Sequence, residues 1–340
     1  MDAAGTVVVT GAGGFAGRAL VAFLAARGGG VRGLVRALDG AMAARAEFLP
    51  VGDLAEIDER TAALALGGAA AVVHLAARVH RPGARGDDEA AAMRRSNVAT
   101  TQRIARAAAA AGVAHFVFAS TVKVNGEITQ PGHPFRESEP PDPHDAYAAS
   151  KWEAEQALAA IAADTGMRVT ALRLPLTYGP GAKGNFAALA RAVRAGVPLP
   201  FAGIVNRRSV LGLANLCDAI AAVLGSDARD EHGRAAPYFV ADAAPVATPE
   251  LARALAHAMG VAPRLFAVPP GLLRFVGAFV GRAAAVERLV GSLEVDTSAF
   301  RARFAWSPPR TLAEGLADTF ADGQHVPGVI PRSERDEGSA

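Results

Sequence analysis

The 340-residue chain is short of several things, and each shortage excludes a class of protein. One cysteine, Cys217, rules out a disulfide framework and a multi-cysteine zinc site. The 35 basic and 33 acidic residues leave a formal net charge of only +2, so there is no basic footprint for nucleic acid. The N-terminal MDAAGTVVVTGAGG has no basic leader ahead of a long apolar run, and no signal peptide is expected. No run reaches the roughly 18 uncharged apolar residues of a spanning helix. The most apolar late stretch, 265–291, is broken by Arg274, Arg282, Glu287 and Arg288 and reads as an amphipathic core or surface helix. A soluble, cytoplasmic protein without membrane insertion is the expectation. The 8 histidines form no metal-ligand cluster, so no catalytic metal is expected, and a G-x-S-x-G nucleophile elbow is absent. Lysine is the scarcest charge. Only Lys123, Lys151 and Lys183 stand among the 35 basic residues, all between 121 and 185.

What the chain has is apolar substance: 51% hydrophobic against 20% charged residues, with 36 glycines. That is enough for one large domain or two modest ones. The first half alternates short apolar runs with alanine-rich helical patterns. Strands are predicted over Thr6–Thr10, Val31–Val35, Glu47–Pro50, Ala71–Leu75, His115–Ala119 and Val169–Leu174, and helices over Gly17–Arg27 and Asn97–Ala111. The runs are continuously apolar, as expected of parallel strands buried on both faces. Beyond residue 175 glycine and proline loosen the pattern. A helix over Ala214–Leu224 and a strand over Pro237–Ala241 return to the sheet, and a mainly helical segment covers 248–322. From about Val326 the chain reads as a frayed tail.

The first predicted strand runs into Gly11-Ala-Gly-Gly14-Phe15-Ala-Gly17, a G-x-x-G-x-x-G turn ahead of a helix. Such glycines make the tight turn, let backbone approach a pyrophosphate and let helix and strand pack closely, with the helix N-terminus facing the anion. Placed at the first strand-to-helix turn of an alternating chain, the pattern predicts dinucleotide binding. An acidic residue about 20 positions on would grip the ribose 2′-hydroxyl; instead Arg36 stands there, and its guanidinium suits a 2′-phosphate. Nearby Asp39 could still serve a ribose. NADP(H) is favoured over NAD(H).

Tyr147-Ala-Ala-Ser-Lys151 opens a further helical pattern, and the i, i+4 spacing puts phenol and ammonium on one face. A phenol of pKa near 10 becomes a usable acid or base when a positive charge stands beside it.

With these motifs in order, residues 5–320 resemble the extended short-chain dehydrogenase/reductases, specifically their nucleotide-sugar epimerases and reductases. The resemblance implies a Rossmann doubly wound parallel sheet with a smaller, mainly helical C-terminal substrate domain. The cofactor domain would take 1–175 plus about 209–243, the substrate domain about 176–208 plus 244–325, with 326–340 a flexible tail. TGAGGFAG resembles the glycine loop, including Phe15; Gly52-Asp53-Leu54 resembles the acidic turn at the adenine. His74-Leu75-Ala76-Ala77 resembles the segment beside the cofactor after the fourth strand. Asn97 resembles the family's cofactor-contacting asparagine. In Phe118-Ala-Ser120-Thr121-Val-Lys123-Val-Asn125-Gly126, counting back from the glycine places the active hydroxyl at Thr121, with Ser120 beside it. RLPLTYGPGAKGNF, holding Pro175 and Asn185, resembles the arm leading to the sugar. In Asn206-Arg207-Arg208, Arg208 best fits the arginine that grips the nucleotide pyrophosphate. Lys123 borders the sugar or phosphate site, and Phe304-Ala-Trp306-Ser-Pro-Pro resembles the closing signature.

Three departures argue against a plain UDP-galactose epimerase: Asn125 for the usual tyrosine, Leu176 for an asparagine common after the sixth strand, and Arg36. The texture is similar to surface-polysaccharide enzymes acting at C4 of UDP-N-acetylhexosamines or their 6-deoxy-4-keto derivatives. The resemblance thus implies hydride transfer at C4 of a UDP-sugar, with Thr121, Tyr147 and Lys151 catalytic. Three readings stay open: a 4-keto reductase, which Arg36 favours; a 4-epimerase retaining NAD; and a non-catalytic cofactor-binding sensor or scaffold. A homodimer through Asn97–Ala111 and Tyr147–Ile161 is also implied.

Overall fold

The structure is a computed structural model that describes residues 5–38, 46–79, 87–226 and 235–321. Asp39 and the tail from Val326 lie outside the described residues. In chain order the first half holds β1 (Thr6–Thr10), α1 (Phe15–Ala26), β2 (Val31–Val35), β3 (Glu47–Pro50), α2 (Glu59–Leu66), β4 (Ala69–His74), α3 (Asp87–Met93), a π-helical turn (Arg94–Ala99), α4 (Thr100–Ala110), β5 (His115–Thr121), a 3-10 turn (Val122–Val124), α5 (Ala146–Thr165) and β6 (Arg168–Leu174). The second half holds β7 (Leu176–Tyr178), α6 (Gly184–Arg194), β8 (Val210–Gly212), α7 (Leu213–Leu224), β9 (Ala235–Phe239), α8 (Thr248–Ala258), α9 (Pro270–Phe279), α10 (Ala283–Val290), α11 (Ser298–Phe304) and α12 (Leu312–Phe320).

Seven strands pair in the order β3-β2-β1-β4-β5-β6-β9, every pairing parallel. The order reverses direction beside β1 and β4, and that switch point opens a crevice at the strands' carboxyl ends. Alanine, valine and leucine dominate these strands because helices cover both faces. One face packs Val9, Val73, Val117 and Leu172 against α1, α7 and α11; the other packs Val8, Val72, Phe116 and Phe118 against α2, α4 and α5. The strands fall where the apolar runs put them, to within two residues. Asn97–Ala111 differs from the expected regular helix: its first residues belong to the π-helical turn, which swells the backbone at Asn97. π turns of this kind concentrate at functional sites.

The loosened stretch after 175 contains order that no period announced. β7 and β8 pair in a two-stranded parallel sheet. With α6, α8, α10 and α12 this stretch shares a third core, including Phe186, Ile204, Leu255 and Leu316. A buried carboxylate ties that core to the main sheet. Asp242 accepts from Tyr178 Oη (2.8 Å), Asn215 Nδ2 (2.7 Å) and the Gly212 amide (3.0 Å).

Candidate active site

The turn after β1 is built for close backbone approach. Gly11 sits at φ +67°, in the region that favours glycine. A Cβ at Gly17 would lie 2.1 Å from the Gly11 carbonyl oxygen, and one at Gly11 would lie 2.8 Å from the Ala76 amide nitrogen. Gly14 caps α1 with no side-chain hydrogen bond, which leaves the first amides of the helix for an anion. A dinucleotide pyrophosphate fits this cradle. Phe15 packs partly buried against both the sheet core and the third core, so the turn lies where the two meet.

At the far end of this crevice, Arg36 follows β2 with its side chain 82% exposed, and its guanidinium is 3.8 Å from the Asp53 carboxylate. Asp53 also accepts from the Ala55 amide at 3.0 Å, and Leu54 is half-buried beside it. The two residues assigned separately to a 2′-phosphate and to the adenine turn therefore face each other.

The catalytic candidates converge on the end of β5. Asp145 caps α5 by accepting from the Ala148 amide at 2.7 Å, and this fixes the first turn that carries Tyr147 and Lys151. Lys151 is 2% exposed. Its Nζ donates to the Ala119 carbonyl at 2.8 Å and stands 4.5 Å from the Phe118 ring centroid and 6.0 Å from that of Tyr147. Burial lowers its pKa from the ordinary 10.5 to about 7, against the opposing charge of Glu155. Burial, helped by Asp145, raises the Tyr147 phenol from 10.0 to about 12. The expected lowering of the phenol by its lysine neighbour is thus overridden in the protein alone, because desolvation penalises both charged forms. Thr121 is the last residue of β5, 7% exposed, and its hydroxyl accepts weakly from the Lys123 amide at 3.4 Å.

A directed chain of hydrogen bonds joins the glycine-loop strand to the tyrosine helix. Thr101 Oγ1 donates to the Asn97 carbonyl, so it accepts from His74 Nε2 at 3.1 Å. His74 Nδ1 then accepts from Thr10 Oγ1 at 2.8 Å, and that hydroxyl accepts from the Ala76 amide at 3.4 Å. Burial and the nearby Lys151 charge hold His74 neutral, its pKa lowered to about 3. Asn97 pins the backbone of Arg78 at both its amide (2.8 Å) and carbonyl (3.0 Å), just past Leu75, Ala76 and Ala77. It also donates to Ser150 Oγ at 2.9 Å, and Ser150 donates to the Tyr147 carbonyl at 2.8 Å. The asparagine assigned to the cofactor therefore spends its amide on framing the site.

Successive strand residues face opposite ways, and the Ser120 hydroxyl points away from Thr121 and donates to Glu155. Glu155 is held by Arg173, whose Nη2 lies 2.6 Å from Oε2, with both side chains buried. Arg173 Nη1 donates to Asn125 Oδ1 at 2.9 Å. Asn125, the departure from the family's tyrosine, thus supplies an acceptor to a buried guanidinium. Ser120 thus joins this buried ion-pair cluster.

Lys123 is also committed to the protein. Its Nζ lies 2.7 Å from both Glu127 and Asp145, and these hydrogen bonds raise its pKa against burial. Beyond it, Glu127 meets Arg288 of α10 at 3.5 Å. Arg208 donates to the Gly291 carbonyl at 2.8 Å, and its pKa is lowered by burial and by the Arg288 charge. Arg208 and Arg288 therefore sense each other's charge, with Glu127 and Asp145 as the carboxylates near Arg288, and the pair offers two guanidiniums to a dianionic diphosphate. The sequence alone did not single out Arg288; its signal was only a charge interrupting an apolar stretch. Asn185 is exposed in the first turn of α6, and Pro175 is buried just past β6.

Strand order, glycine turn and Tyr-x-x-x-Lys helix together define a dinucleotide-binding α/β enzyme of the short-chain dehydrogenase/reductase type. The chain belongs to the NAD dependent epimerase/dehydratase family, whose model matches residues 7–238. It is 36% identical over 323 residues to a UDP-glucose 4-epimerase of Vibrio cholerae, covering 92% of this chain and 94% of the relative. It is 31% identical over 264 residues to a 2-alkyl-3-oxoalkanoate reductase of Stenotrophomonas maltophilia (strain K279a), covering 76% of this chain and 77% of that one. Among solved structures it is similar to MoeE5 in complex with UDP-glucuronic acid and NAD, with TM-score 0.72, 27% identity, and coverage of 93% of this chain and 97% of that one.

Proposed function

We propose that the protein transfers hydride at C4 of a UDP-sugar, and that its reaction is the reduction of a UDP-6-deoxy-4-keto-N-acetylhexosamine for surface polysaccharide. The observation that carries the hydride-transfer reading is the convergence of Thr121, Tyr147 and Lys151 on the end of β5, beside the glycine turn. A bound nicotinamide dinucleotide supplies the hydride; Gly11, Gly14 and Gly17 would hold its pyrophosphate, Leu75 to Ala77 would line its path, and Lys151 would reach its ribose. Thr121 hydrogen-bonds the C4 oxygen and holds the carbonyl for attack. Tyr147, protonated at neutral pH, gives its proton to that oxygen as the carbon accepts hydride. Arg208 and Arg288 grip the diphosphate. Arg36, exposed at the end of β2, supports NADP(H) and with it the reductive direction, since NADPH is drawn from solution each turnover.

A second reading, a UDP-hexose or UDP-N-acetylhexosamine 4-epimerase with retained NAD, is supported by the Vibrio relative. A homodimer through α4 and α5 is part of either proposal. Purified protein given NADPH and the 4-keto sugar should consume nicotinamide absorbance. Interconversion of UDP-GlcNAc and UDP-GalNAc without added cofactor, and no NADPH oxidation, would decide for the epimerase. Tyr147→Phe should lower either turnover by about 10²- to 10⁴-fold while leaving cofactor binding intact.

A further inference from the structure

No helix among the described residues is long and apolar enough to cross a membrane, yet within the apolar stretch noted in the sequence α9 turns most of its large apolar side chains outward. Leu272, Phe275, Val276 and Phe279 stand at i, i+3, i+4 and i+7 of α9 and form one stripe. They are exposed by 51, 70, 49 and 87%, and Val280, just past the helix, by 57%. The opposite side of α9 is the one that packs. Gly277 is buried against α10, where a Cβ would come within 2.5 Å of Val286 Cγ2, and Leu273 joins the third core. The helix is therefore mounted with its aromatic face outward, the reverse of an ordinary surface helix.

The apolar surface continues into the adjoining loops. Phe266 is 48% exposed, and its carbonyl accepts from the Ala202 amide, near Val205, which is 97% exposed. At typical side-chain areas the α9 stripe with Val280 and Phe266 leaves roughly 600 Å² of apolar surface in water, the upper limit for the largest patch of a monomer.

Charge identifies the occupant. Residues 263–290 carry Arg264, Arg274, Arg282 and Arg288 against one acid, Glu287. Glu287 is consumed by Arg274, at 2.8 and 2.9 Å. Arg264 and Arg282 are exposed at the borders of the stripe with no ion-pair partner among the described residues. A second copy docked about a two-fold axis would set this patch against itself, arginines facing arginines with no free carboxylate between them. An apolar stripe bordered by unpaired arginines matches an anionic lipid surface, which takes the aromatic side chains below its headgroups and the guanidiniums at its phosphates.

We propose that the α9–α10 hairpin docks the protein on an anionic bilayer surface, with Leu272, Phe275, Val276 and Phe279 buried in the interface and Arg264 and Arg282 on lipid phosphates. The full chain should sediment with vesicles of mixed phosphatidylcholine and phosphatidylglycerol, and only weakly with phosphatidylcholine alone. Phe275→Ser/Phe279→Ser should cut the bound fraction about tenfold or more, with the melting temperature unchanged, and Arg282→Glu should weaken binding to the anionic vesicles. Phe279→Trp keeps a large apolar group, so it reports even where the double variant does not fold: its emission should move to the blue when anionic vesicles are added. Wild-type protein that stays in the supernatant with both vesicle types, with no emission shift in Phe279→Trp, overturns the proposal. So does a dimer, measured by light scattering, that Phe279→Ser converts to monomer, because the stripe would then belong to a second copy.

Discussion

Lys151→Met tests whether burial governs the site's ionisation. The lysine's pKa falls from 10.5 in the open chain to about 7 in the fold. At ~1.36 kcal/mol per pKa unit, the fold disfavours the ammonium by about 5 kcal/mol below pH 7. Because the folded value is the depressed one, the unfolded chain binds more protons between pH 7 and 10.5, and stability rises with pH across that window. Linkage puts the penalty at about 5 kcal/mol at pH 6 and about 2 kcal/mol at pH 9. Methionine fills a similar volume against the Phe118 ring and carries no charge. It also strands the Ala119 carbonyl that Lys151 satisfies at 2.8 Å, at about 1–3 kcal/mol independent of pH. Cofactor-free Lys151→Met should therefore be more stable than wild type by about 2–4 kcal/mol at pH 6, and that advantage should shrink by about 3 kcal/mol by pH 9. Urea unfolding of both proteins at the two pH values gives the difference of differences, in which the carbonyl term cancels. A stability difference that does not change with pH would refute the reasoning, since it would mean that Lys151 ionises alike in both states. Turnover should be lost in either case.

Gly17→Ala must find room for a Cβ 2.1 Å from the Gly11 oxygen; calorimetry should show loss of dinucleotide binding and a destabilisation of about 1–3 kcal/mol from overpacking. Arg173→Met leaves Glu155 buried without its cation and should cost about 3–5 kcal/mol in urea unfolding, while Glu155→Leu/Arg173→Met should cost much less than the sum of the single changes. Arg36→Ala should weaken NADPH binding about 10- to 100-fold and leave NADH unchanged, since a charged hydrogen bond is worth about 1.5–3 kcal/mol; an equal change for both cofactors would remove Arg36 from the 2′-phosphate.

The parts of the fold legible in the sequence are those governed by local pattern. Continuously apolar runs mark strands buried on both faces, and Gly11, Gly14 and Gly17 mark one turn whose geometry only glycine allows. Tyr147 and Lys151 were legible because i, i+4 spacing needs nothing but a helix. What escaped depends on pairing between distant segments. Nothing near Ser120 announces that its hydroxyl is taken by Glu155, 35 residues on, and Asn125 is a mere departure until Arg173 stands against it. Lys123 borders the site by position, but its two carboxylates, at 127 and 145, meet only when the loop after β5 folds back on α5. Arg288 became visible only once α10 had brought it to Arg208. The apolar stretch at 265–291 was legible as amphipathic but not as to which face is buried, because Gly277 has no side chain to mark the packed side.

The two perturbed groups bear on the direction of the chemistry. Oxidation of a C4 hydroxyl, the first half of an epimerisation, requires Tyr147 as phenolate. Reduction of a C4 ketone requires it as phenol. With its pKa raised to about 12 by burial and by Asp145, Tyr147 holds its proton through the neutral range. Lys151 lowers the cost of a phenolate only while it is itself charged, and at about 7 it is poised between its two forms. Glu155 sets that balance, as the charge favouring the ammonium. Its carboxylate answers in turn to Arg173, which Asn125 helps to hold. A proton already in place on Tyr147, and a lysine only half committed to removing it, suit the donor role. In the protein without its cofactor, Tyr147 thus rests in the protonated form that a C4 ketone would draw on and that an epimerisation would first have to discharge.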